Sequence, residues 1–112
     1  MTAAIERFIA QLCAFSAPNV FNPWTDYGPA HDVVRAAPAT RRRQLAAYLA
    51  ERRESARLLL IAEAAGYQGA KFSGIAMTSE RILLGHLAAR GVAAQAVVNA
   101  PVERTTFGVF RM

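Results

Sequence analysis

Arg57-Leu58-Leu59-Leu60-Ile61-Ala62-Glu63-Ala64-Ala65-Gly66-Tyr67-Gln68-Gly69-Ala70-Lys71-Phe72-Ser73-Gly74-Ile75-Ala76-Met77-Thr78-Ser79-Glu80-Arg81 is the stretch whose reading decides the fold. Its apolar run, residues 58–62, has no alternation of polar and apolar positions, which predicts a strand buried on both faces, as in parallel sheets. A loop with three glycines and few large side chains follows. Thr78 or Ser79 then suits the N-cap of a helix carrying Ile82, Leu83 and Leu87. Strand, glycine loop and helix together form the unit that holds ligands at the carboxyl ends of strands in α/β proteins. Glu63 stands where the predicted strand ends, so a site is expected there.

The rest of the chain is read outward from this unit. On the amino-terminal side, Thr2 can cap a helix over residues 3–15, with Ile5, Phe8, Ile9 and Leu12 recurring along one face. Four of the five prolines lie between Pro18 and Pro38, which predicts little regular structure there. Phe21, Trp24 and Tyr27 lie in that segment, so it is expected either to pack over the domain or to form a binding face. Thr40 is read as opening a second helix over residues 41–54, with Leu45, Tyr48 and Leu49 as its apolar seam. Arg41, Arg42 and Arg43 then fall in its first turn, where cations oppose the helix dipole and a phosphate or carboxylate would relieve them. On the other side, a third helix is expected over residues 79–90, ending at Gly91. The segments 94–99 and 105–110 have the β-branched and aromatic content of strands.

Composition bounds the function classes. A chain of 112 residues with 54% hydrophobic and 19% charged residues is a small globular domain rather than a disordered one. Thirteen cations against eight anions give a net charge of +5, with a pI near 10.4. Twelve of the cations are arginine, which suits phosphate recognition. Cys13 is the one cysteine, which excludes a disulfide framework and a cysteine-held metal or cluster; it is read as a small buried hydrophobe. His31 and His86 have no neighbours at metal-ligand spacing and are read as structural, so neither a metal nor another cofactor is expected. No apolar run is long enough to span a bilayer, and the amino terminus lacks the layout of a signal peptide. The expectation is a soluble cytoplasmic protein without a membrane partner.

Three common nucleotide or nucleophile motifs are absent. Gly66-Tyr67-Gln68-Gly69-Ala70-Lys71-Phe72-Ser73 has the wrong spacing for a phosphate loop. No dinucleotide glycine pattern exists, and no serine sits in a nucleophile elbow. What remains is a carboxylate framed by small residues.

Glu63-Ala64-Ala65-Gly66 leading to Gly74-Ile75-Ala76-Met77-Thr78-Ser79-Glu80-Arg81 resembles the first signature of the uracil-DNA glycosylase superfamily, in particular a bacterial uracil-DNA-glycosylase-like branch. Phe21-Asn22-Pro23-Trp24 and the arginine helix extend the similarity over roughly residues 20–85. The resemblance implies an α/β fold: a partial three-layer α/β/α arrangement with a central parallel strand and flanking helices. It implies a pocket for a flipped base, with Glu63 as the catalytic carboxylate beside the attacking water. Gly66, Tyr67, Gly69, Lys71, Phe72, Gly74, Met77 and Ser79 are then the base-binding loop, with Arg41, Arg42 and Arg43 facing DNA. Met77 replaces the family's stacking phenylalanine, Ala62 its first glycine and Ala65 its proline. The later signatures, which stabilise the departing base, have no counterpart before Met112. The resemblance therefore implies a relative of base-excision repair enzymes that is inactive or incomplete as this chain alone. Two alternatives stand beside it: a non-catalytic nucleic-acid-binding module, and a structural remnant that self-associates. The expected partners are DNA, bound weakly, and a second copy or complementing half. A lone strand would leave its edges unpaired, so self-association or edge pairing by the tail around Val97 or Val109 is also expected.

Overall fold

The computed structural model describes residues 2–62 and 69–107, with the side chain of Ala96 left aside. Helix α1 spans Ala3–Ala14, and the Thr2 side chain accepts a hydrogen bond from Ile5 N at its start. Ile5 and Ile9 bury against Leu45 and Ala46, with Leu12, Cys13, Trp24 and Leu49 closing the cluster. The i, i+4 spacing of the two isoleucines sets one face of α1 along its neighbour.

That neighbour, α2, spans Ala37–Arg52. It starts a turn before the expected Arg41 because Pro38 lies in the first turn, where a missing N–H costs nothing. This shift carries Arg41, Arg42 and Arg43 past the amino-terminal turn, so the expected conflict with the helix dipole is largely relieved. Helix α2 is the central element. One side packs on α1, and the other carries Ala47 and Tyr48 into a second cluster around Ile75, Leu83 and Val98.

The irregular segment between α1 and α2 is packed structure. Asn22 Nδ2 donates to Leu12 O at 2.7 Å and Phe15 O at 3.1 Å, satisfying carbonyls at the end of α1. The Asp26 carboxylate accepts from Asn22 N, and the Asp32 carboxylate accepts from Gly28 N. Side chains thus close the backbone groups that a proline-rich segment cannot pair with itself.

The expected α/β fold with a central parallel strand is not what forms. Among the described residues there is no sheet, and the β pairing is an isolated antiparallel bridge between Asp32 and Thr106. Leu58, Leu59, Leu60 and Ile61 are 89%, 84%, 75% and 86% exposed, where the sequence predicted a strand buried on both faces. Such a strand needs neighbours on both edges and a layer on each face. The described part of the tail supplies neither: Ala94–Ala96 is a 3-10 turn with Val97 and Val98 packed into the second cluster. Residues 105–107 are taken up by the bridge, with Val33 N donating to Thr105 O and Phe107 N to His31 O. Val97 therefore offers no strand edge, and Val109 lies outside the described residues.

The glycine loop leads into two single-turn helices, α3 (Ala70–Ser73) and α4 (Glu80–Leu83). Ser79 caps α4 as expected, its side chain accepting from Ile82 N. The helix stops early because Gly85 adopts φ +84°, and the expected continuation to residue 90 is a turn followed by the 3-10 helix Ala88–Arg90. Among the described residues, no helix is long and apolar enough to cross a membrane.

Candidate functional site

The site is built on contact between α3 and α2. Gly74 ends α3 at φ +80°, and a Cβ there would lie 2.8 Å from both the Cβ and the carbonyl oxygen of Arg41. Only glycine fits this approach, on both conformational and steric grounds. Three residues on, Met77 holds a left-handed backbone at φ +56°, uncommon for a long side chain, and remains 64% exposed.

These turns leave an open cavity of about 430 Å³, within the size range of small-molecule sites. It is lined by Phe8 and Leu12 of α1, Leu45 of α2, Trp24, Gly69 and the buried Ala70 and Gly74, and the exposed Ala62, Ala76 and Met77 form its rim. Both ends of the loop, Ala62 and Gly69, therefore lie in one wall. Among the described residues the wall is apolar, and its one polar side-chain group, the Trp24 indole N–H, donates to Gly74 O at 3.2 Å. Such a surface suits the face of a planar ring better than its hydrogen-bonding edge.

Behind the cavity lies a buried polar cluster that sequence reading did not anticipate. Arg41 is fully buried: Nε donates to Phe72 O at 3.0 Å, and the guanidinium pairs with both Asp32 oxygens and reaches Pro23 O and Thr105 Oγ1. Glu80, 1% exposed, accepts from Thr105 N and from the hydroxyls of Thr105 and Thr106. Gln44 donates to Ser73 O and accepts from Glu103 N. A buried charge is tolerated when it is paired or its acceptors are filled by hydrogen bonds: Arg41 and Asp32 pair with each other, and Glu80 is held by the backbone N–H of Thr105 and the two threonine hydroxyls. The cluster ties α2, α3, α4 and the tail together. The partners lie far apart in sequence, nine residues from Asp32 to Arg41 and twenty-five from Glu80 to Thr105, so no local pattern announces them.

His31 borders this cluster. Its ring lies 5.3 Å from Phe21 and 5.0 Å from Phe72. Burial pushes its pKa below the ordinary 6.5; Asp32 opposes this, while Lys71 and Arg41 add to it. Its Nε2 is 3.5 Å from Asp32 Oδ1 without a hydrogen bond.

The predicted site residues separate into groups. Glu63, Gly66 and Tyr67 lie outside the described residues. Gly69, Gly74 and Met77 meet at the cavity. Phe72 is 1% exposed and belongs to the interior, and Ser79 serves as a helix cap. Lys71 places its ammonium over the Phe21 ring at 5.0 Å. The three arginines diverge: Arg41 is enclosed, Arg42 donates to Trp24 O at 2.6 Å, and Arg43 pairs with Glu103 at the surface. Two further cavity residues are Trp24, which the sequence left open between packing over the domain and forming a binding face, and Phe8, which it offered only as part of the apolar face of α1. Among the described residues, no group of three His, Cys, Asp or Glu side chains could hold a metal ion.

Comparison with known proteins found no matching family model, no matching curated protein and no matching solved structure.

Proposed function

We propose that this chain is a nucleic-acid-binding relative of the uracil-DNA glycosylases that accepts an unstacked base in the cavity between Trp24 and Met77 and does not excise it unaided. The observation that carries the reading is the convergence of Gly69, Gly74 and Met77, three positions of the resembling loop, on one apolar cavity of about 430 Å³. Small residues let the sugar and phosphate approach the backbone, and the apolar wall favours a base that has left its stack. The net charge of +5 supplies the non-specific attraction to phosphate. Arg42 and Arg43 are the members of the arginine triad with exposed surface. In this reading the protein works in the cytoplasm, where it meets DNA.

Excision needs charge stabilisation on both the sugar and the leaving base. Glu63 suits the sugar side by its motif. Among the described residues the cavity wall presents no free polar side chain for the base, and loss of one such donor typically costs about 10²–10³ in rate. Binding without turnover is the consequence.

The test is an anisotropy titration with single-stranded oligonucleotides carrying a central uracil or an abasic site, alongside a cleavage assay. Binding to the uracil strand should exceed binding to the abasic strand, and Ala76→Trp, which fills the rim, should remove the difference. Equal affinity for both strands, unchanged by Ala76→Trp, would overturn base binding. Cleavage by the wild type that is lost in Glu63→Gln would make the chain a minimal glycosylase instead.

A further inference from the structure

The exposed run at residues 58–61 has no part in the cavity's chemistry and needs its own account. Exposed apolar residues are ordinary when scattered, but four adjacent ones at 75–89% exposure are not. The last backbone hydrogen bond before them is Ala56 N to Arg52 O. From residue 57 to residue 62 none is made to another described residue. A run of N–H and C=O groups with no partner among the described residues, carrying large apolar side chains, is a template for another strand.

The surrounding surface extends the template. Ala56 closes a groove formed by Ile5, Phe8 and Leu49, with Arg52 and Arg53 along it. Ala62, at the other end of the run, closes the cavity that Phe8 also lines. Phe8 is therefore common to both, and the apolar surface continues along the run. A stable interface commonly covers about 800 Å² on each partner, more than five residues supply. Phe8, 46% exposed, and Met77, 64% exposed, provide the extension.

We infer that residues 58–62 pair antiparallel with the same residues of a second copy, about a two-fold axis at Leu60. The sequence is self-complementary in this register. Leu60 meets Leu60, Leu59 meets Ile61, and the large Leu58 meets the small Ala62. A two-fold interface requires this property, because one patch must serve as both surfaces. The sequence also bounds the run with Arg57 and Glu63, so reversing one copy sets a cation against an anion at each end. Cross-strand opposite charges favour the register, and like charges oppose it. The second copy also lays its Leu58 beside Ala62 at the cavity rim, narrowing the entrance. The pairing does not depend on base binding.

Sedimentation across a range of concentrations tests association, and cysteine cross-linking tests the register. Wild type should pass from monomer to dimer as concentration rises. Leu60→Lys, which sets two ammonium groups against each other at the axis, should weaken the dimer by about 100-fold or more. Since Leu60 is 75% exposed, the monomer's circular dichroism should not change. Arg57→Glu should weaken association, and adding Glu63→Arg should restore it. In a Cys13→Ala background, Leu60→Cys should form a disulfide-linked dimer under mild oxidation. Leu59→Cys should not, because its own copy is a diagonal neighbour at about 7–8 Å. A monomer at every concentration overturns the proposal, as does a dimer indifferent to Leu60→Lys or cross-linked equally through positions 59 and 60.

Discussion

Around Arg41, four elements spend polar groups on one another until a fully buried guanidinium has a partner for each direction it faces. A few residues beyond α2, Leu58, Leu59, Leu60 and Ile61 stand in solvent with no described backbone partner. The difference shows that hydrophobicity alone does not decide the interior of a small domain. A charged side chain can be buried when the chain supplies its complement, and an apolar run stays outside when the chain supplies no layer to cover it.

The largest effect should come from breaking the enclosed pair. Asp32→Ala leaves the Arg41 guanidinium buried without its anion, and loss of one member of such a pair typically costs about 3–5 kcal/mol. Arg41→Ala should cost a similar amount, since it strands Asp32 and the carbonyls of Phe72 and Pro23. Urea denaturation of each variant checks this. A loss below about 1 kcal/mol would mean that the pair behaves like an exposed one and that the contrast is misdrawn.

Gly74→Ala should come next. The substitution forces a left-handed backbone on an L-residue and drives a methyl group against Arg41, for a combined cost of about 2–4 kcal/mol. It perturbs the cavity wall and the polar cluster together. Base binding and stability should therefore fall in the same variant, whereas Ala76→Trp should affect binding alone.

These two sites also mark how far the sequence could be read. Helix α1 was legible because its evidence is local: a cap at Thr2 and a repeat of Ile5, Phe8, Ile9 and Leu12. The start of α2 is not legible because Pro38 closes a segment rich in helix breakers, although proline is welcome in a first turn. The glycine loop was legible in part, since Gly69, Gly74 and Met77 do share a cavity. The polar cluster was not, because a pair such as Glu80 and Thr105 is made by the fold and leaves no spacing to recognise. The apolar run was misread for the opposite reason. Its pattern says that it would gain from burial, but not whether the chain holds the strands to bury it.

A smaller effect lies at the margin of the cluster. The His31 pKa is lowered in the folded chain, first by burial, so the unfolded chain takes up a proton more readily. The associated stability is complete above about 6.5 and is lost as pH falls through that value toward the folded pKa. Denaturant midpoints at pH 7.5 and pH 5 should show this decline, and His31→Phe should flatten it. An unaltered profile in the variant would assign the acid sensitivity to other groups.

The smallest effect is expected where the sequence promised the largest. A leucine in a central strand buried on both faces would cost about 2–5 kcal/mol on truncation, and Leu45→Ala, in the cluster between α1 and α2, should fall in that range. Leu59→Ser removes an apolar side chain that is 84% exposed, so the folded monomer loses little contact. Exposed substitutions away from special features stay within about 0.5 kcal/mol. The comparison must be made at concentrations low enough to keep the chain monomeric, because association adds stability that depends on protein concentration. Under those conditions the Leu59→Ser and wild-type urea curves should overlay, while Leu45→Ala unfolds well before both. If Leu59→Ser instead shifted as far as Leu45→Ala, the run would be buried in the working monomer. The contrast between an enclosed charge and a displayed apolar segment would then fail on its second half.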